Sequence, residues 1–135
     1  MIKRFLNNVP VIGDFFVSSE LINIFQGLID DISNVKNVIC DMNGLAFRLS
    51  EITIYDSSQY VKLKKCLLSV QTTIQNLKVS YGQLGLTFNF STLSIKEVRT
   101  YEKINSLLSQ VDEEYNALNK FVEEIYNNQY KNFII

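Results

Sequence analysis

The chain contains no histidine, one proline, five glycines and two cysteines among its 135 residues, and each shortage removes a class of function or architecture. Without histidine, the usual general base at neutral pH and the commonest transition-metal ligand are missing. That excludes Ser–His and Cys–His nucleophile pairs and the Glu-x-x-His signature of di-iron bundles. Cys40 and Cys66 are too few and too far apart for a disulfide framework or a zinc site. Each follows or precedes an apolar seam residue, Ile39 or Leu67, so both are expected to be reduced and to pack as small hydrophobes. The scarcity of glycine and proline leaves little punctuation, and long elements are expected.

Long apolar runs are also missing. No stretch approaches the roughly 18 uninterrupted apolar residues of a membrane-spanning helix. Asn7, Asn8, Pro10, Gly13 and Asp14 break the opening segment in a way a secretory signal does not tolerate, so a cytoplasmic protein is expected. A formal net charge of -1 provides no basic excess for phosphate, and nucleic acid is not an expected partner. There is no glycine-rich phosphate loop, no Cys-x-x-Cys and no dinucleotide fingerprint.

What is present is a folded composition, 47% apolar and 20% charged, in a chain long enough for a single domain over residues 1–135. Its organising stretch runs from Ser94 to Tyr130. Tyr101, Ile104, Leu108, Val111, Tyr115, Leu118, Val122 and Ile125 recur at alternating steps of three and four, which sets all eight on one face of a helix. Ser94 and Glu97 form a capping box at its start. A helix of this length needs partners for that face, because propensity alone does not hold it.

Two further seams supply them. Ser18 and Ser19 cap a helix over 18–43, whose Leu21, Phe25, Leu28, Ile32, Val35, Ile39 and Met42 keep the same spacing up to a stop at Asn43-Gly44. Ile22, Ile24, Ile29 and Val38 widen this stripe, so the helix is expected to touch more than one neighbour. Residues 45–55 read as a short helix, with continuation of the preceding helix through Gly44 as the alternative. Asp56, Ser57 and Ser58 cap a helix over 58–81 with the seam Tyr60, Leu63, Leu67, Val70, Ile74, Leu77 and Tyr81, ended by Gly82. The expected fold is therefore all-α: an antiparallel up-down-up bundle of three long heptad-patterned, coiled-coil-like helices, with residues 1–17 as a short apolar N-terminal helical segment broken at Pro10.

Charge supports that arrangement. The middle helix carries Lys62, Lys64, Lys65 and Lys78 and no acid, whereas its neighbours are mainly acidic, so opposite charges at the seam edges select neighbours. Asp112-Glu113-Glu114 and Glu123-Glu124 are the densest carboxylates, but adjacent helical residues point about 100° apart and do not converge on a cation. No catalytic, cofactor-binding or metal-ligating residue is assigned.

The expected function is a non-enzymatic protein–protein interaction or assembly module. Three surfaces are candidates for contact. Phe15 and Phe16 lie in the apolar N-terminal segment. Leu84, Leu86, Phe88 and Phe90 alternate strictly, as an extended strip with one apolar side does, folded over the end of the bundle. Val122 and Ile125 lie where the last helix, about 55 Å long, should overhang partners of about 36 Å. Self-association through that overhang is a second expectation. A membrane surface is the alternative partner, reached by releasing residues 1–17 as an amphipathic anchor.

Overall fold

The structure, a computed structural model, describes residues 18–52 and 57–134. Three α-helices account for nearly all of them: α1 (Ser18–Ser50), α2 (Ser57–Gly85) and α3 (Ile95–Ile134), with a single 3-10 turn, η1 (Phe90–Thr92), between the last two. There is no strand among the described residues, and no described helix is long and apolar enough to cross a membrane. The N-terminal helical segment expected over 1–17 lies outside the described residues, as do residues 53–56 and Ile135.

All three seams are buried against one another. Every seam position named above for α1 and α3 is buried, as are all those of α2 except Tyr81, which is half-buried. Ten of these side chains are closed off almost completely: Phe25, Leu28, Ile32, Ile39, Ile74, Leu77, Ile104, Val111, Leu118 and Val122. Contacts between named ends define how the helices meet. The start of α2 meets the end of α3 through Tyr60 and Gln129, and its last turns meet the start of α3 through Tyr81 and Tyr101. The start of α1 meets the start of α3 through Phe25 and Tyr101, and the end of α1 meets the end of α3 through Leu49 and Gln129.

Two glycines expected to stop helices do not. α1 continues through Gly44 to Ser50, so residues 45–50 extend it where a separate short helix was expected. The reason is visible in the seam: Ala46 and Leu49 carry on the three-four spacing and are buried. Burying one leucine contributes about 1.5–3 kcal/mol, whereas glycine inside a helix costs about 1 kcal/mol relative to alanine. The same holds at Gly82, because α2 runs on to bury Leu84 before ending at Gly85. Among the described residues no glycine adopts a positive φ, so none of these acts as a left-handed cap.

The true ends are made by side chains and short turns. The carbonyls of Arg48 and Leu49 accept bonds from the amides of Glu51 and Ile52 at the end of α1. At the end of α2 the Leu84 carbonyl accepts from both the amide and the hydroxyl of Thr87. The capping box opens α3 as expected: the Ser94 amide donates to Glu97 Oε1 at 2.9 Å, and the Glu97 amide donates to Ser94 Oγ at 3.2 Å.

Residues 83–92 are therefore not an extended strip. Leu84 belongs to α2, Leu86 to a turn and Phe90 to η1, which Asn89 opens by accepting from the Ser91 amide. The apolar alternation arises because a helix end, a turn and a 3-10 turn follow one another in few residues.

The glycines separate into two behaviours that melting can measure. A Cβ at Gly44 or Gly82 meets nothing within 4 Å, so Gly44→Ala and Gly82→Ala are expected to stabilise the fold by about 0.5–1 kcal/mol each in urea denaturation. A Cβ at Gly85 would lie 2.5 Å from the hydroxyl of buried Tyr101, so Gly85→Ala should instead cost about 1–3 kcal/mol.

Candidate interaction surface

The two ends of the bundle have different chemistry. At the end where α1 and α3 begin, Tyr81 stacks on Tyr101 with ring centroids 4.5 Å apart, and Phe88 meets both Phe25 and Tyr101 edge-on at 5.8 and 5.1 Å. Tyr81 donates its hydroxyl to the Tyr101 carbonyl at 3.3 Å. Burial first, and then a side-chain hydrogen bond with Tyr101, push the Tyr81 hydroxyl well above the ordinary 10.0 of a tyrosine. Burial likewise raises the Tyr115 hydroxyl further along α3.

At the opposite end a single amide links all three helices. Gln129, 7% exposed, donates through Nε2 to the carbonyls of Leu49 at 2.7 Å and Ile52 at 2.8 Å, and its Oε1 accepts from the Tyr60 hydroxyl at 3.0 Å. Gln129 occupies the next seam position after Ile125, where the sequence carries a polar residue. It went unassigned for that reason, and its role follows from the unpaired carbonyls that every helix C-terminus presents.

Beside this amide, α2 and α3 leave a groove of about 670 Å³, lined by Tyr60, Val61, Lys64, Leu68, Glu123 and Tyr126 among others. Tyr60 and Tyr126 form its floor, edge-on at 5.2 Å. Lys64 and Glu123 face each other across it at 3.9 Å. On α2, Val61, Leu68 and Val79 share one outward face, being seven and then eleven residues apart, and are 51%, 64% and 55% exposed. Val61 and Leu68 each follow a core seam residue by one position, whereas Val79 follows Leu77 by two and joins them only through the eleven-residue step, so no single heptad phase marks the row in the sequence.

The candidate contact residues are placed as follows. Leu84, Val122 and Ile125 are buried inside the molecule at 2%, 0% and 5% exposure. The overhang expected at Val122 and Ile125 is taken up because α1 is 33 residues long, not the shorter helix expected, and so reaches Gln129. Leu86 is 87% exposed, Phe88 is half-buried in the aromatic group, and Phe90 opens η1. Phe15 and Phe16 lie outside the described residues. Among the described side chains, Leu84, Val122 and Ile125 are buried whereas Leu86 is exposed, so these do not share one exposed face.

Charges pair mainly through α3. Lys78 reaches Asp112 at 2.7 Å and Lys36 reaches Glu114 at 3.5 Å, from α2 and α1 respectively. Asp112 and Glu114 are therefore directed to different neighbours, and no group of three or more His, Cys, Asp or Glu among the described residues could hold a metal ion. Cys40 and Cys66 are free and exposed, not packed as small hydrophobes, because each sits one position off its seam on the outward side. Comparison with protein-family models, curated proteins and solved structures finds no match to this chain.

Two expectations follow from the ends. Gln129→Leu preserves bulk but removes the hydrogen bonds to the Tyr60 hydroxyl and to the Leu49 and Ile52 carbonyls, and should cost about 1–3 kcal/mol in urea denaturation. Because the folded state holds the Tyr81 proton more tightly than the unfolded chain does, its contribution is complete below pH 10.0 and is lost as pH rises above it. Tyr81→Phe should therefore make the alkaline loss of stability shallower, read from urea midpoints against pH.

Proposed function

We propose that the chain is an antiparallel up-down-up bundle that works by contact, as a cytoplasmic, non-enzymatic interaction or assembly module. The end-to-end pairings of Tyr60 with Gln129, Tyr81 with Tyr101 and Phe25 with Tyr101 support the arrangement. The observation that carries the functional reading is the outward row Val61, Leu68 and Val79 beside the groove at Tyr60 and Tyr126. Three large apolar side chains aligned on one helix, next to a concave surface, offer an amphipathic partner helix a place to lie.

The partner's chemistry follows from charge. α2 carries Lys62, Lys64, Lys65 and Lys78 and no acid, so a partner helix with an apolar face and acidic edges fits it. A second copy fits less well: matching Val61 with Val79 across a twofold axis also sets Lys62 opposite Lys78.

The test compares the full chain with its Leu68→Glu variant as baits, followed by measurement of purified partner at low and high salt. The variant should keep its melting temperature, since Leu68 is exposed, yet bind about tenfold or more weakly, with wild-type binding falling as salt rises. Binding that survives Leu68→Glu, or a stable homodimer by light scattering that the variant dissociates, would overturn this assignment of the partner.

A further inference from the structure

α1 carries a second apolar row outside the bundle core. Val38, Leu45 and Ile52 stand seven residues apart, so they follow one nearly straight line along the helix, and they are 45%, 51% and 44% exposed. Exposed apolar side chains are ordinary when scattered. Three in register on one helix form an open apolar face. The row lies on the flank of α1 that borders α2, because Val38 lines a groove of about 170 Å³ with Val35 and with Ser69, Val70 and Thr73 of α2.

One edge of this row is charged. Asp41 and Arg48 lie three residues beyond Val38 and Leu45, so both border the row on the same side, themselves seven residues apart. Both are exposed, and neither takes part in the three ion pairs of the described residues. One acid and one base leave this border neutral overall, whereas α2 carries four lysines and no acid. A strongly charged partner is therefore not what the α1 face selects. A face with the same two charges at the same spacing is.

We propose that this face docks a second copy of the chain, α1 against α1 in antiparallel orientation, with the twofold axis passing beside Leu45. In that register Leu45 meets its own counterpart, Val38 meets Ile52, and Asp41 comes within one residue step of Arg48; the last two contacts occur twice by symmetry. The charges exclude the competing arrangements. A parallel copy sets Asp41 on Asp41 and Arg48 on Arg48. A slip of seven residues along the antiparallel pair brings Arg48 to Arg48 in one direction and Asp41 to Asp41 in the other. Only the register centred on Leu45 matches all three apolar side chains and both charges. The contact runs for about 21 Å of helix, and one of that length falls below the roughly 1,200 Å² of stable interfaces, so the dimer is reversible and depends on concentration. It leaves the α2 row of Val61, Leu68 and Val79 free for a different partner.

The test is sedimentation equilibrium of the full chain across a roughly hundredfold range of concentration. The average mass should climb from one chain towards two. Leu45→Glu, at an exposed position, should keep its melting temperature and hold the mass of one chain throughout. Asp41→Arg alone should weaken association about tenfold by opposing two pairs of like charges, and Asp41→Arg combined with Arg48→Asp should restore it. Leu68→Glu should leave the dimer unchanged, which separates this contact from binding at α2. A single-chain mass at every concentration, a dimer that survives Leu45→Glu or is dissociated by Leu68→Glu, or a double exchange that associates no better than Asp41→Arg alone overturns the proposal.

Discussion

The seam of α3 is the constraint on which the other elements depend. It is buried from Tyr101 to Gln129, and both other helices are held to it: α1 at Phe25 and Leu49, α2 at Tyr60 and Tyr81. Burial of the large aliphatic seam side chains, at about 1.5–3 kcal/mol each, outweighs the ion pairs by a wide margin. Lys78–Asp112 and Lys36–Glu114 are each one-third or more exposed, and such pairs contribute about 0–1 kcal/mol. All three ion pairs described here end on α3, so charge reinforces the role that its seam already has.

The same hierarchy explains what could be read from the amino acids alone. The helices and their inward faces were legible because apolar residues recur at three and four without a miss, and periodicity reports directly on burial. The ends of α1 and α2 were not. Gly44 and Gly82 resemble stops, but a stop is a local preference worth about 1 kcal/mol, and the apolar positions beyond them, Ala46 and Leu49 or Leu84, decide the outcome. The alternation from Leu84 to Phe90 misled for a related reason: a period of two over four apolar residues is also produced when three different local structures abut.

The candidate surface was less legible still. Sequence reading searched for contact residues among apolar positions without an obvious partner, and several of those, Leu84, Val122 and Ile125, found partners within the chain. The row Val61, Leu68 and Val79 was passed over because lysines are interspersed with it, and Gln129 because it is polar at a core position. Both are exceptions to the binary pattern. Exceptions are where packing of this kind departs from the generic pattern.

Gln129 has one more consequence. Heptad seams are nearly self-similar, so α3 displaced by one repeat along α1 would still match apolar against apolar almost everywhere. Such a misthreaded state would carry the amide into the slot now filled by Val122, a site with 0% exposure, and would remove its bonds to the Leu49 and Ile52 carbonyls. The glutamine thereby acts as an index mark: its hydrogen bonds form in one alignment of the helices and make that alignment distinguishable from its neighbours.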